Sequence, residues 1–102
     1  MSKQISTKVV DEIKSMLDKL DRTRAVVEWS KGRSFLIECD IVDGNDLITE
    51  DGDIISMKPF VGECVVYYCV NGKEFDQVTL TPIMGLTETD INSIKELIRT
   101  YK

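Results

Sequence analysis

The sequence predicts an α+β fold: an N-terminal helix, a six-stranded antiparallel meander of three hairpins and a C-terminal helix. Three observations carry that prediction. Apolar residues recur at helical spacing at both ends, alternating residues fill the middle, and glycine-bearing turns divide that middle into strand pairs. With no internal repeat, low-complexity tract or linker, residues 1–102 read as a single compact domain.

The first helix follows from Val9, Ile13, Met16, Leu17 and Leu20, which line up as one apolar stripe opposite Lys8, Glu12, Lys19 and Arg22. Ser6 is its expected cap, with Ile5 and Val10 as the staple around it. The last helix has a capping box in Thr87 and Asp90, a staple in Leu86 and Ile91, and a stripe of Ile91, Ile94, Leu97, Ile98 and Tyr101. Glu88 and Asp90 at its start and Arg99 and Lys102 at its end suit the helix dipole. Pro82 and Gly85 break the chain before it.

Between the helices, Arg24–Trp29 and Arg33–Ile41 form the first expected hairpin, joined by Ser30-Lys31-Gly32 with the glycine in the left-handed region. The register that sets Trp29 opposite Arg33 and Arg24 opposite Glu38 sorts the side chains cleanly. Ala25, Val27, Trp29, Phe35, Ile37 and Cys39 share one face, and Arg24, Glu28, Ser34, Glu38 and Asp40 the other. The second hairpin, Asp46–Met57, turns at Asp51-Gly52 and brings Glu50 opposite Asp53. The third turns at Asn71-Gly72 and pairs Tyr68 with Phe75, Tyr67 with Asp76 and Val65 with Val78. Its first strand is apolar without a break from Cys64 to Cys69, so both faces require cover. Val66, Tyr68 and Phe75 take one face. Val65, Tyr67, Val78 and Leu80 take the other, which is expected to bind a second copy of the chain or a peptide.

Composition narrows the chemistry. The chain has no histidine, which removes the commonest general base and metal ligand together. Three cysteines cannot complete a four-ligand zinc site, and a cysteine nucleophile would lack its usual base. Cys39, Cys64 and Cys69 therefore read as buried thiols, and no enzyme activity, metal or cofactor is expected. No apolar run approaches the roughly 18–20 residues that cross a bilayer, and Met-Ser-Lys-Gln turns polar without an apolar signal core. The expected compartment is the cytoplasm, or that of a host cell.

The charge is unevenly placed. Residues 1–33 hold eight bases and five acids, and residues 58–102 hold five bases and six acids. Residues 34–57 hold seven acids and no base, all seven within ECDIVDGNDLITEDGD, from Glu38 to Asp53. The oxygen spacing of a calcium loop fails there, because Leu47 falls where a ligand belongs when counting starts at Asp43. Concentrated like charge is unfavourable within a fold and steers basic partners towards it, so Asp43, Asp46, Glu50, Asp51 and Asp53 are the expected partner-binding residues. Direct nucleic-acid binding is not expected. Lys31 and Arg33 flank Trp29 suggestively, but acids share their strand and the net charge of −5 repels phosphate.

Two resemblances bear on function. Gly32-Arg33 through Phe35 to Asp43 resembles the first motif of Sm-like RNA-binding proteins; that family's asparagine is displaced here and its second Arg-Gly motif is missing, so RNA binding does not carry over. In arrangement, a small acidic chain with a helix, an antiparallel sheet and a closing helix is similar to type III secretion chaperones, although their middle helix is lacking. That similarity implies a chaperone-like or adaptor homodimer. The leading expectation is a non-enzymatic, acidic protein-binding module. It resembles the small inhibitors of phages and mobile elements that occupy a basic, nucleic-acid-binding surface of their partner.

Overall fold

The computed structural model describes residues 5–42, 47–55, 59–82 and 84–101. Along the chain run α1 (Ile5–Lys19), β1 (Arg24–Ser30), β2 (Arg33–Val42), β3 (Leu47–Ile48), β4 (Ile54–Ile55), β5 (Phe60–Val70), β6 (Lys73–Leu80) and α2 (Glu88–Tyr101). The α+β class and both terminal helices are as expected, but the six-stranded meander is not. Four strands form an antiparallel sheet in the order β1-β2-β5-β6, while β3 and β4 pair only with each other in a separate two-stranded ribbon. Strand length explains the exchange of partners. The ten residues of β2 match the eleven of β5 and bring Phe35 opposite Tyr68, Ile37 opposite Val66 and Cys39 opposite Cys64. The ribbon strands have two residues each, too few to bridge such a pair.

Both helices cover one face of the sheet. Val9, Ile13 and Met16 of α1 and Ile94, Leu97 and Ile98 of α2 join Val27, Phe35, Ile37, Cys39, Cys64, Val66 and Leu80 in a single core. α2 is held at its start by the expected box: the Asp90 amide donates to Thr87 Oγ1 at 3.1 Å, and the Thr87 amide donates to Asp90 Oδ2 at 3.2 Å. Ser6, by contrast, lies inside α1 with Ile5 and does not cap it. At the other end of α1, Leu20 takes a φ of 50° and its amide donates to the Met16 carbonyl at 3.1 Å, closing the last turn.

Irregularities in the ladders account for the remaining differences. Arg24 does pair with Glu38, but the register shifts between Glu28 and Ser30, so Arg33 faces Ser30 and Trp29 is the extra residue. Trp29 instead lies under the Arg33 guanidinium, 5.6 Å from the ring centre. In β5–β6 the turn at Asn71-Gly72 forms with both residues at positive φ, as the type I′ geometry demands, and Val70 faces Lys73. Phe75 is then bulged out. Tyr68 consequently faces Asp76, Tyr67 faces Gln77 and Val65 faces Thr79, one residue away from the expected pairs. The reason is burial: the shift turns Val78 and Leu80 toward the helices, opposite Val66 and Cys64. Each large apolar side chain so covered contributes about 1.5–3 kcal/mol.

A hydrogen bond ties the two turns at this end of the sheet, the Asn71 amide donating to the Gly32 carbonyl at 2.6 Å. Gly32 has a φ of 77°, and a Cβ there would meet Asn71 Oδ1 at 2.6 Å, so no larger residue fits without displacing that contact.

Candidate partner-binding surfaces

The ribbon tip collects three of the five predicted acids. Ile48 faces Ile54 and Leu47 faces Ile55, a register that leaves Thr49 beside Asp53. Glu50, Asp51 and Gly52 form a three-residue loop, so Glu50 does not face Asp53 as the two-residue turn would have required. Thr49 organises the loop. Its amide donates to the Asp53 carbonyl at 2.8 Å, its carbonyl accepts from the Gly52 amide at 2.9 Å, and its Oγ1 accepts from the Asp53 amide at 3.1 Å. Gly52, at a φ of 85°, supplies the left-handed residue that a three-residue hairpin loop needs.

Glu50, Asp51 and Asp53 are all exposed, and none joins an ion pair among the described residues. Asp43 and Asp46, along with the expected hairpin ends at Asp46 and Met57, lie outside the described residues. Directly behind the acidic tip, Ile48 and Ile54 sit opposite each other at 75% and 68% exposure.

The residues expected to form a dimer or peptide face do not stay together. Leu80 is 1% exposed within the core and Val78 packs against it, both on the side covered by the helices. Val65 and Tyr67 occupy the opposite, open face of the sheet. Register orders that face into rows across the strands: Asp40 with Glu63; Arg24 with Glu38, Val65 and Thr79; Val26 with Leu36, Tyr67 and Gln77; and Glu28 with Ser34, Cys69 and Glu74. Desolvation, then the carboxylates of Glu74, Glu38 and Glu63, pushes the Tyr67 phenol above its ordinary 10.0.

The cysteines are buried, as expected, but two are bonded. Cys39 and Cys64 lie directly opposite in β2 and β5, their Cα atoms 4.2 Å apart, and form a disulfide. Their spacing in sequence carried no sign of this, because the pairing of β2 with β5 bypasses an intervening hairpin. Cys69 is a free, buried thiol. Desolvation and then the Glu74 carboxylate raise its pKa above 9.0, which opposes thiolate formation. Among the described residues, no cluster of three or more potential ligands is arranged for a metal ion.

At the turn end, Trp29, Phe35, Tyr68, Phe75 and Tyr101 make a chain of ring contacts in which Tyr68 and Tyr101 stack 4.2 Å apart. The Tyr101 hydroxyl donates to Asp76 Oδ2 at 2.5 Å. No helix among the described residues is long and apolar enough to cross a membrane. No family model, curated protein or solved structure matches the chain.

Proposed function

We propose that this chain is a non-enzymatic protein-binding module whose ribbon docks, acidic tip first, on a basic surface of another protein. A nucleic-acid-binding groove is the kind of surface that fits, and inhibition by occupancy is the consequence. The observation that carries this reading is the Ile48–Ile54 pair behind Glu50, Asp51 and Asp53. Carboxylates alone would serve to keep a hairpin soluble and unpaired. Two exposed isoleucines work against solubility, whereas a contact with an apolar centre and a charged rim uses both features.

The proposal of a non-enzymatic role rests on the absence of histidine from the sequence and on a lone thiol whose burial disfavours its reactive form. The acids set the on-rate and the isoleucines the off-rate.

The test is affinity capture from a lysate, with the wild-type chain, E50Q/D51N/D53N and I48T/I54T as baits, at low and high salt. One basic protein should be held by the wild type, released by salt and lost from both variants. Equal capture by the wild type and both variants would reduce the ribbon to a solubility device.

A further inference from the structure

We propose that the open face of the sheet is a second docking surface, shaped for a basic amphipathic helix of a protein partner. Its centre is the row Val26, Leu36 and Tyr67, which crosses β1, β2 and β5; Val26 is 55% exposed, Tyr67 is half-buried, and Leu36 between them is only 7% exposed. On one side stand Glu28 and Glu74, and on the other Glu38, with Asp40 and Glu63 beyond. Among the described residues, these rows hold one cation against the five carboxylates, Arg24 opposite Glu38, and Lys8 of α1 lies beside Val26 and Glu28 at the sheet's edge.

That pattern selects the occupant. A narrow apolar line with Glu28 and Glu74 on one side, and Asp40 and Glu63 beyond the Arg24–Glu38 row on the other, is the complement of a helix with an apolar stripe flanked by Lys and Arg. Dimensions agree. The apolar row across three strands spans about 10 Å, the length of about six helical residues, and neighbouring rows lie about 7 Å apart, within reach of a helix's flanking side chains. A second copy would set the same five carboxylates against their equals, and nucleic acid carries the same sign of charge. The surface is separate from the ribbon and does not depend on its reading.

Amide spectra of the ¹⁵N-labelled full chain, titrated with a synthetic Leu/Lys amphipathic peptide of about fourteen residues, test this. A scrambled peptide of the same composition controls for charge alone. Shifts should centre on Val26, Leu36, Val65 and Tyr67, with the scrambled peptide at least about tenfold weaker. V26T/E38Q/E74Q, whose changes lie at the surface, should keep a dispersed spectrum and lose affinity about tenfold. E50Q/D51N/D53N should bind within about twofold of wild type. Equal binding of the scrambled peptide, shifts confined to the ribbon, or a dimer of the free chain that buries Val26 and Tyr67 would each overturn the proposal. Loss in the ribbon variant alone would overturn it while leaving the ribbon's own role standing.

Discussion

Isoleucine meets opposite fates in the sheet and in the ribbon. Ile37 in β2 is fully covered by the helices, whereas Ile48 and Ile54 stand in solvent. The residue type is the same, and its β-branched shape suits a strand in both places. What differs is the length of the pairing and the presence of a covering layer. β2 and β5 run side by side for most of their length beneath two helices; β3 and β4 pair over two residues each and belong to no larger sheet. The comparison teaches that the sheet and helices build the core while the ribbon stands outside it.

The largest effect should come from testing that division with one substitution made twice. Ile37→Ala removes a fully buried side chain from the core and should cost about 2–5 kcal/mol in chemical denaturation. Ile54→Ala, at the ribbon, should fall within about 0.5 kcal/mol of wild type. Similar losses at both sites would mean that the ribbon contributes to the fold as the sheet does.

The next effect concerns the bond that clamps β2 to β5. Cys39 and Cys64 are 25 residues apart in sequence. Closing a loop of that size in the unfolded chain is worth about 3.5 kcal/mol, so Cys39→Ala with Cys64→Val should lower stability by about that amount. Because the loop closed by this bond contains the whole ribbon, a much smaller loss would show that the strands are already held by packing alone.

Thr87→Ala should cost about 1 kcal/mol by removing one partner of the capping box, and the loss should appear in thermal unfolding without a change in ribbon behaviour.

How much of this was legible in the residues follows the range of the interactions involved. Both helices could be read because an apolar stripe is local; of the two expected caps, Thr87 with Asp90 formed at α2, whereas Ser6 lies inside α1. The turn at Asn71-Gly72 was equally local, since both residues accept positive φ. Trp29 and Phe75 were not legible as bulges. A bulge is chosen by what the strand buries beyond it, and for Phe75 that is Val78 and Leu80 against helices distant in sequence. The β2–β5 pairing was hidden for a related reason. Each strand had a tempting neighbour in the next hairpin, and length matching with the far strand decided the outcome. Of the candidate site, the acidic tip could be read from charge alone, whereas the open face required the corrected register that separates Val65 and Tyr67 from Val78 and Leu80.

A smaller effect lies in pH, at the hydrogen bond between Tyr101 and Asp76. Accepting from the Tyr101 hydroxyl, and then from the Gln77 amide, holds the Asp76 carboxyl below its ordinary 3.8. Donating to that carboxylate holds the Tyr101 phenol above its ordinary 10.0. The lowered carboxyl stabilises the fold above its unfolded pKa, and this is lost as pH falls through the folded value. The raised phenol stabilises below its unfolded pKa, and this is lost as pH rises through the folded value. Tyr101→Phe should therefore lower Tm slightly at neutral pH and flatten its decline at both extremes. An unchanged pH profile would show that the bond adds no linkage.

Removing the ribbon tests the division between fold and contact most directly. Val42 and Phe60 face each other at the end of β2–β5, so replacing residues 43–59 with Asn-Gly joins them by a two-residue hairpin turn. The shortened chain should keep its unfolding midpoint, since the Cys39–Cys64 bond already closes this connection in the unfolded chain, and it should no longer capture the basic partner. A chain that fails to fold, or one that folds and still captures that partner with the same salt dependence, would contradict the division.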